Sequence, residues 1–354
     1  MKVNNKIVYQ NLDELFARSP KHDLANGERW VIFSDLHMGD GGSTDDFTAN
    51  SDLFIKSLSK YYSTRAFNLL LNGDVEELQR FSLKKISSNW SDVYKVFDEF
   101  ATNRRLIKTI GNHDLKLSVI EDNPFEYDLY DSYRFGHKKN DLFIFHGHQA
   151  SKKFQSHNQM IGFTLKYLAN PLGIKNYSVA HDSRKQYNIE KRVYGYSAYN
   201  KIASVIGHTH RPLFESLHKV ERLKYKIEQL CRDLATMKHP DDEVKAIIKA
   251  NKKDLKKYYK NNLDTNFQNY VYNTIFHIPC LFNSGCVIGK RGMTCLEIED
   301  NNIRLVHWFD KKISEKYLTK SGYEPEPLPG TDYYRMVLNE ETLDYIFTRI
   351  KYLT

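Results

Sequence analysis

Cysteine is scarce in this chain: Cys231, Cys280, Cys286 and Cys295 are the only four in 354 residues, with no CxxC pair and no common zinc spacing. That excludes a thiolate metal site and a disulfide framework as organising devices, and the thiols read as reduced structural residues of a reducing compartment. Long apolar runs are also missing, and the mean hydropathy of −0.60 excludes a membrane-spanning helix. The start, MKVNNKIVYQNLDELFARSP, holds no apolar core of signal-peptide length, so the expected location is the cytoplasm. What is present is ample for a core. Hydrophobic residues at 41% and aromatics at 13%, against 27% charged, exclude disorder. A chain of this length buries about three quarters of its unfolded surface and needs no covalent staple.

Acidic residues are few in two segments. Residues 151–201 hold nine Lys/Arg against two Asp/Glu, and residues 215–260 hold thirteen against eight, so the rest of a chain of net charge +8 is mildly acidic. Such asymmetry points to anionic substrates or surfaces, with solvated helical faces as the plainer explanation.

Short apolar runs end repeatedly in polar clusters. Trp30–Phe33 runs into Ser34-Asp35-Leu36-His37, Phe67–Leu71 into Asn72-Gly73-Asp74, and Leu106–Ile110 into Gly111-Asn112-His113-Asp114. Leu142–Phe145 runs into His146-Gly147-His148, and Ala203–Ile206 into Gly207-His208-Thr209-His210. Each run has the length and β-branched or aromatic character of a strand buried on both faces. Helical faces lie between them: Leu53, Phe54 and Leu58, then Val93, Val96, Phe97 and Phe100. The alternation predicts an α/β fold with its ligand site beyond the carboxyl ends of the strands, where all five clusters should converge.

The tail predicts antiparallel strands over 274–282, 293–298 and 303–309, turning at Gly285, Gly289 and Gly292 and completing a second sheet packed on the first. Residues 311–354 read as an extension packing on the body, with no function assigned. Residues 151–201 read as a basic, tyrosine-rich insertion. Residues 215–260 read as a helical hairpin, with Val220, Leu223, Ile227, Leu230, Leu234 and Met237 along its first arm and a break at His239-Pro240-Asp241-Asp242.

The residue types at the strand ends carry the chemistry. Asp35, His37, Asp74, Asn112, His113, His146, His208 and His210 form a mixed oxygen and nitrogen donor set too large for one cation. It suits two borderline divalent metals better than calcium or magnesium. Such a pair polarises a phosphoryl oxygen and lowers the pKa of a bridging water. Each motif alone is weak, since Asp-x-His arises by chance and a lone histidine is usually structural. Their order and their shared placement make the combination specific.

At these motifs the chain resembles the calcineurin-like metallophosphoesterase family: Asp35-Leu36-His37, Gly73-Asp74, Gly111-Asn112-His113-Asp114, His146 and Gly207-His208-Thr209-His210. The resemblance implies a four-layer α/β/β/α sandwich over 1–310, with a helical lid at 151–201 and the 215–260 hairpin inserted. It implies two divalent ions, manganese foremost and iron or zinc as the other fits. Asp35, His37, Asp74 and His210 would hold one and Asp74, Asn112, His146 and His208 the other, with Asp74 bridging. His113 would be left free of metal to protonate the leaving oxygen or stabilise phosphoryl charge, with Asp114 orienting its ring; merely bracing the metal ligands is the plainer role for His113, and His148 stays open between pocket lining and turn.

Within the family the chain is similar to the UDP-2,3-diacylglucosamine pyrophosphohydrolase branch. Glu77 lies three residues after Asp74, Gly207-His208-Thr209-His210-Arg211-Pro212 matches closely, and a lid of similar position precedes that motif. The chain departs from the branch at His113, where arginine is usual, at His146-Gly147-His148 in place of His-Gly-Asp, and in the extra hairpin. A basic, aromatic lid with Arg184, Lys185 and Arg192, joined by Arg211, would suit an anionic phosphorylated substrate such as a lipid nucleotide. A phosphodiesterase or nuclease acting on nucleic acid or nucleotides is the first alternative. A non-catalytic metal-binding scaffold is the second. For the hairpin, a homodimer contact, peripheral docking at the inner membrane face and a purely structural arm stay open.

Overall fold

The computed structural model describes residues 3–103, 105–119, 125, 127–151, 183–237, 241–261 and 276–354. Helix α1 (Val3–Arg18) leads into β1 (Lys21–Asp23) and β2 (Arg29–Phe33), and α2 (Ser51–Ser57) precedes β3 (Asn68–Asn72). Helices α3 (Leu83–Asn89) and α4 (Ser91–Thr102) precede β4 (Leu106–Thr109), followed by β5 (Leu129–Tyr130), β6 (Ser132–His137) and β7 (Asn140–Phe145). Then come α5 (Ser183–Asn200), β8 (Ala203–Ile206), α6 (Lys219–Thr236), α7 (Asp242–Asn261), β9 (Leu281–Asn283), β10 (Met293–Glu299) and β11 (Asn302–Asp310). The chain ends with α8 (Lys311–Ser314), β12 (Glu326–Pro327), β13 (Tyr333–Thr342) and α9 (Leu343–Leu353).

The described residues thus build a mixed α/β fold with two sheets. The order of one is β12-β13-β11-β10-β2-β3-β4-β5, and of the other β1-β6-β7-β8-β9. Strands β2, β3 and β4 run parallel, in register Ile32↔Leu70 and Leu70↔Ile107. So do β7, β8 and β9. Alternation along the central strand shows why its apolar run is unbroken. Trp30 and Ile32 enter one core with Phe143, Val205, Leu296 and Ile346, while Val31 and Phe33 enter another with Phe54, Val96, Phe97 and Trp308. Both faces of β2 are buried, and each such side chain contributes about 1.5–3 kcal/mol. The helical faces expected between the first strands are those buried in the second core, Leu53 and Phe54 from α2 and Val93, Val96, Phe97 and Phe100 from α4.

The tail departs from its expectation. Strands β10 and β11 do pair antiparallel, but β10 also pairs with β2 (Leu296↔Ile32), so they widen the first sheet and complete no second one. In the 274–282 run only β9 forms among the described residues, and it lies parallel to β8. Apolar alternation fixes a strand's faces but not its partner or direction, which here follow from burial on both sides. Residues 311–354 add β12 and β13 to the larger sheet, and α9 buries Leu343, Ile346, Phe347 and Ile350. Helices α6 and α7 pack on each other. Most of the 151–201 insertion, residues 152–182, falls outside the described residues; its remainder is α5. No helix among the described residues is long and apolar enough to cross a membrane.

His307 on β11 gives the fold a pH dependence. It is buried, Nε2 donates to the Arg291 carbonyl at 3.1 Å, and burial pushes the ring down to about 4. The unfolded ring titrates at about 6.5, so between these values the unfolded state binds the extra proton and stability falls as pH falls. The wild type should lose up to about 3 kcal/mol through this group between pH 7 and 4, at about 1.36 kcal/mol per unit. Urea unfolding of His307→Gln, which keeps a donor for Arg291, should show that share of the slope gone.

Candidate metal centre

Each candidate residue sits just past a strand end: Asp35 and His37 after β2, Asp74 after β3, Asn112 and His113 after β4, His146 after β7, and His208 and His210 after β8. The first three strands belong to one sheet and the last two to the other, so the centre lies where the carboxyl ends of both sheets meet. Main-chain bonds knit these loops together. Asp35 N donates to Gly73 O at 3.1 Å, His37 N to Asp74 O at 3.0 Å, and Gly207 N to His146 O at 2.9 Å.

The loops turn abruptly. Asp35, His37, Asp74, His208 and His210 all adopt positive φ, between 48° and 63°. This left-handed conformation costs a non-glycine residue roughly 1–2 kcal/mol. Five such residues in one centre mark a place where side-chain placement outweighs backbone comfort. The neighbouring glycines serve close approach. A Cβ on Gly111 would stand 2.1 Å from Asp74 Oδ1, and one on Gly207 would stand 2.5 Å from Asp35 Oδ2.

The side chains assemble into trios. Asp35, His37 and His210 form one: His210 Nε2 lies 3.0 Å from Asp35 Oδ1 and 3.1 Å from His37 Nε2. Asp74, His146 and His208 form another, with His146 Nε2 3.0 Å from Asp74 Oδ2. His37, Asp74 and His113 form a third, with His37 Nε2 3.9 Å from Asp74 Oδ2. Asp74 therefore belongs to two trios and stands close to the first. All these groups are buried or nearly so.

Electrostatics follow from that burial. Desolvation would raise Asp35 and Asp74, yet the surrounding imidazoles hold both carboxyls well below the ordinary range: His210 and His146 around Asp35, His146 and His113 around Asp74. Burial would lower His146, but Asp74 and Asp35 outweigh it and raise it to about 9. His208 has the opposite balance; burial and the His146 charge lower it to about 3. His148 is held well below its ordinary value by burial, His146 and His208, with its ring 5.5 Å from that of His146.

Several polar atoms suit a cation. His146 Nδ1 donates to the Asn72 carbonyl at 2.9 Å, which turns Nε2 toward Asp74 Oδ2 inside the centre. Asn112 Oδ1 is buried with no hydrogen-bond partner among the described residues. With two buried carboxylates, four further imidazoles and no thiolate, the set fits borderline divalent metal ions.

The task of orienting His113 falls on a residue other than the one expected. Both oxygens of Asp114 are taken by backbone amides, Gly111 N at 2.5 Å and Val75 N at 2.8 Å. Burial, with Asp74 and Glu76 nearby, pushes Asp114 up to about 6. It is Glu77 Oε2 that meets His113 Nδ1, at 2.7 Å, and also His37 Nδ1, at 3.2 Å. Asp114 shapes the loop; Glu77 steadies two rings. The signal was the position of Glu77, one turn beyond Asp74.

The proposed substrate cations divide. Arg184 and Lys185 are exposed in the first turn of α5. Arg192 donates to the Ala150 carbonyl at 2.9 Å and so ties α5 to the His148 turn. Arg211 adjoins the centre, with Nη2 2.9 Å from His218 Nδ1 and Nη1 3.9 Å from Glu190 Oε2.

No family model matches the chain, and no curated protein matches it. Among solved structures it is similar to a conserved uncharacterized protein from Streptococcus pneumoniae TIGR4, a predicted phosphoesterase. The likeness covers 78% of this chain and 87% of that one at 11% identity, with a TM-score of 0.29.

Proposed function

We propose that the chain is a metal-dependent phosphoesterase whose centre takes two divalent ions. The carrying observation is the convergence of the trio Asp35, His37 and His210 with the trio Asp74, His146 and His208 at the strand ends. In this reading Asp35, His37, Asp74 and His210 hold one ion, and Asp74, Asn112, His146 and His208 the other. The separate cores on the two faces of β2 support a four-layer α/β/β/α arrangement around it.

When bound, the ions polarise a phosphoryl oxygen and make hydroxide available near neutral pH. The chain's own work falls to His113 and Glu77. His113 is the more open ring, with 18% of its side chain exposed against 8% for His37. Glu77 engages its Nδ1, so Nε2 is the side from which a proton reaches the leaving oxygen. The finer reading, cleavage of the pyrophosphate of a lipid nucleotide such as UDP-2,3-diacylglucosamine, rests on the motif resemblance alone.

The test is manganese-dependent hydrolysis of bis(4-nitrophenyl) phosphate, with UMP release from UDP-2,3-diacylglucosamine run alongside. Turnover of neither, by folded protein that retains manganese, overturns the reading. His113→Ala should keep its metal content and lose about 10²–10⁴-fold in kcat, the usual worth of a positioned acid. Loss of metal in that variant would move His113 into the ligand set, as its trio with His37 and Asp74 allows.

A further inference from the structure

The hairpin's first helix is not simply a solvated arm. Its residues Lys219, Arg222 and Lys226 follow at helical spacing and face a cavity of about 320 Å³, whose wall also includes His210, Arg211, Lys320 and Tyr323. The cavity therefore opens beside a residue of the first trio. Among the described residues five Lys/Arg side chains line it and no Asp or Glu does.

Little nearby neutralises them. Arg211 stands 3.9 Å from Glu190, and Lys320 3.4 Å from Asp254 on α7. Among the described residues no carboxylate lies within ion-pair reach of Lys219, Arg222 or Lys226. The Lys226 and Lys320 ammoniums lie 4.6 Å and 4.4 Å from the Tyr323 ring centre. Arg222 Nη1 is buried with no hydrogen-bond partner among the described residues, so a guanidinium donor in the wall is left unsatisfied by them. Burial pushes Arg222 down to about 10, and burial followed by Lys320 lowers Lys219. Crowded, desolvated cations of one sign call for an anion. A bounded cavity suits a small molecule; a nucleic-acid strand would need an open basic track.

We propose that this cavity holds a second, non-reacting phosphate of the substrate, so that the enzyme acts on small molecules carrying at least two phosphate groups and α6 selects them. The substrate part of this proposal rests on the phosphoesterase reading; the anion site does not. Guanidinium and ammonium groups together match a phosphate's several acceptor oxygens and double charge.

The test is isothermal titration calorimetry of the full chain with inorganic pyrophosphate in EDTA, which keeps cations out of the measurement. Wild type should bind, and Arg222→Gln and Lys320→Gln, on separate segments of the chain, should each weaken binding at least tenfold. Asp74→Ala should bind as wild type does. Unfolding midpoints verify that each variant is folded. No binding by wild type, or undiminished wild-type affinity in both cavity variants, overturns the proposal. So does loss in Asp74→Ala alone, because the anion would then sit in the ligand cluster. With manganese, KM for a nucleoside diphosphate sugar should rise at least tenfold in Arg222→Gln. Arg222-dependent pyrophosphate binding without turnover of any phosphoester would overturn the substrate assignment and the phosphoesterase reading while leaving the anion site standing.

Discussion

Replacing Asp74 with alanine should abolish turnover and strip the centre of metal, the largest functional effect expected of any single change. Asp74 is the carboxylate common to the trios with His146 and His208 and with His37 and His113. Its Oδ1 also accepts from His113 N at 2.8 Å, fixing the loop that carries Asn112 and His113. Removal therefore takes away the carboxylate shared by two trios and the anchor of the neighbouring motif. A loss of at least about 10³-fold in kcat/KM is expected, equivalent to about 4 kcal/mol of barrier. Asp74→Asn separates the two causes. It preserves the acceptor for His113 N and the side-chain shape, but lacks the charge, so it should keep the native unfolding midpoint and still lose metal, read by elemental analysis of the purified protein. Full activity in either variant would sink the two-ion proposal.

The centre was legible because its chemistry lies in residue identity at strand ends. Apolar runs at Trp30–Phe33, Phe67–Leu71, Leu142–Phe145 and Ala203–Ile206 announce strands, and whatever follows a parallel strand faces the ligand site. Sheet membership was not legible. The pattern of Met293–Glu299 serves equally for a second sheet or for pairing with β2, and only tertiary packing decides. Nor could a sequence show that Asp35, His37, Asp74, His208 and His210 are held at positive φ, since nothing in the motif departs from ordinary side chains. Glu77 takes the role expected of Asp114 because the fold brings it to His113 from 36 residues away, while the Asp114 oxygens are taken up by the Gly111 and Val75 amides. Lys219, Arg222 and Lys226 lie in the basic 215–260 segment; that residues of β10, β11 and β13 and those around Tyr323 line one cavity with them is a fact of packing alone.

Strand β4 holds the largest expected effect on stability. Its run Leu106–Thr109 is fully buried, yet it contains Lys108, whose ammonium lies 2.6 Å from both oxygens of Glu76 with neither side chain exposed. Tyr94 donates to the same carboxylate at 2.9 Å, and the Lys108 ammonium stands 4.5 Å from the Phe125 ring centre. Taking both charges out of water costs several kcal/mol each, and their attraction offsets this only while both are present. Lys108→Met fits the volume but strands the Glu76 carboxylate among apolar walls, so urea unfolding should report a loss of about 3–5 kcal/mol. Adding Glu76→Leu removes the stranded charge and should recover most of that loss, leaving the Tyr94 hydroxyl to find another acceptor. The two changes must be strongly non-additive because the residues touch. If Lys108→Met alone costs under about 1 kcal/mol, the value of an exposed pair, then water reaches the site and the β4 interior is not closed. The pair also bears on the centre. Glu76 follows Asp74 in the same loop and adds to the charge that raises Asp114, the carboxyl whose two amide bonds hold Gly111 and Val75 in place. Lys108→Met should accordingly lower metal affinity as well as stability, while the double variant, with the stray charge gone, should regain both.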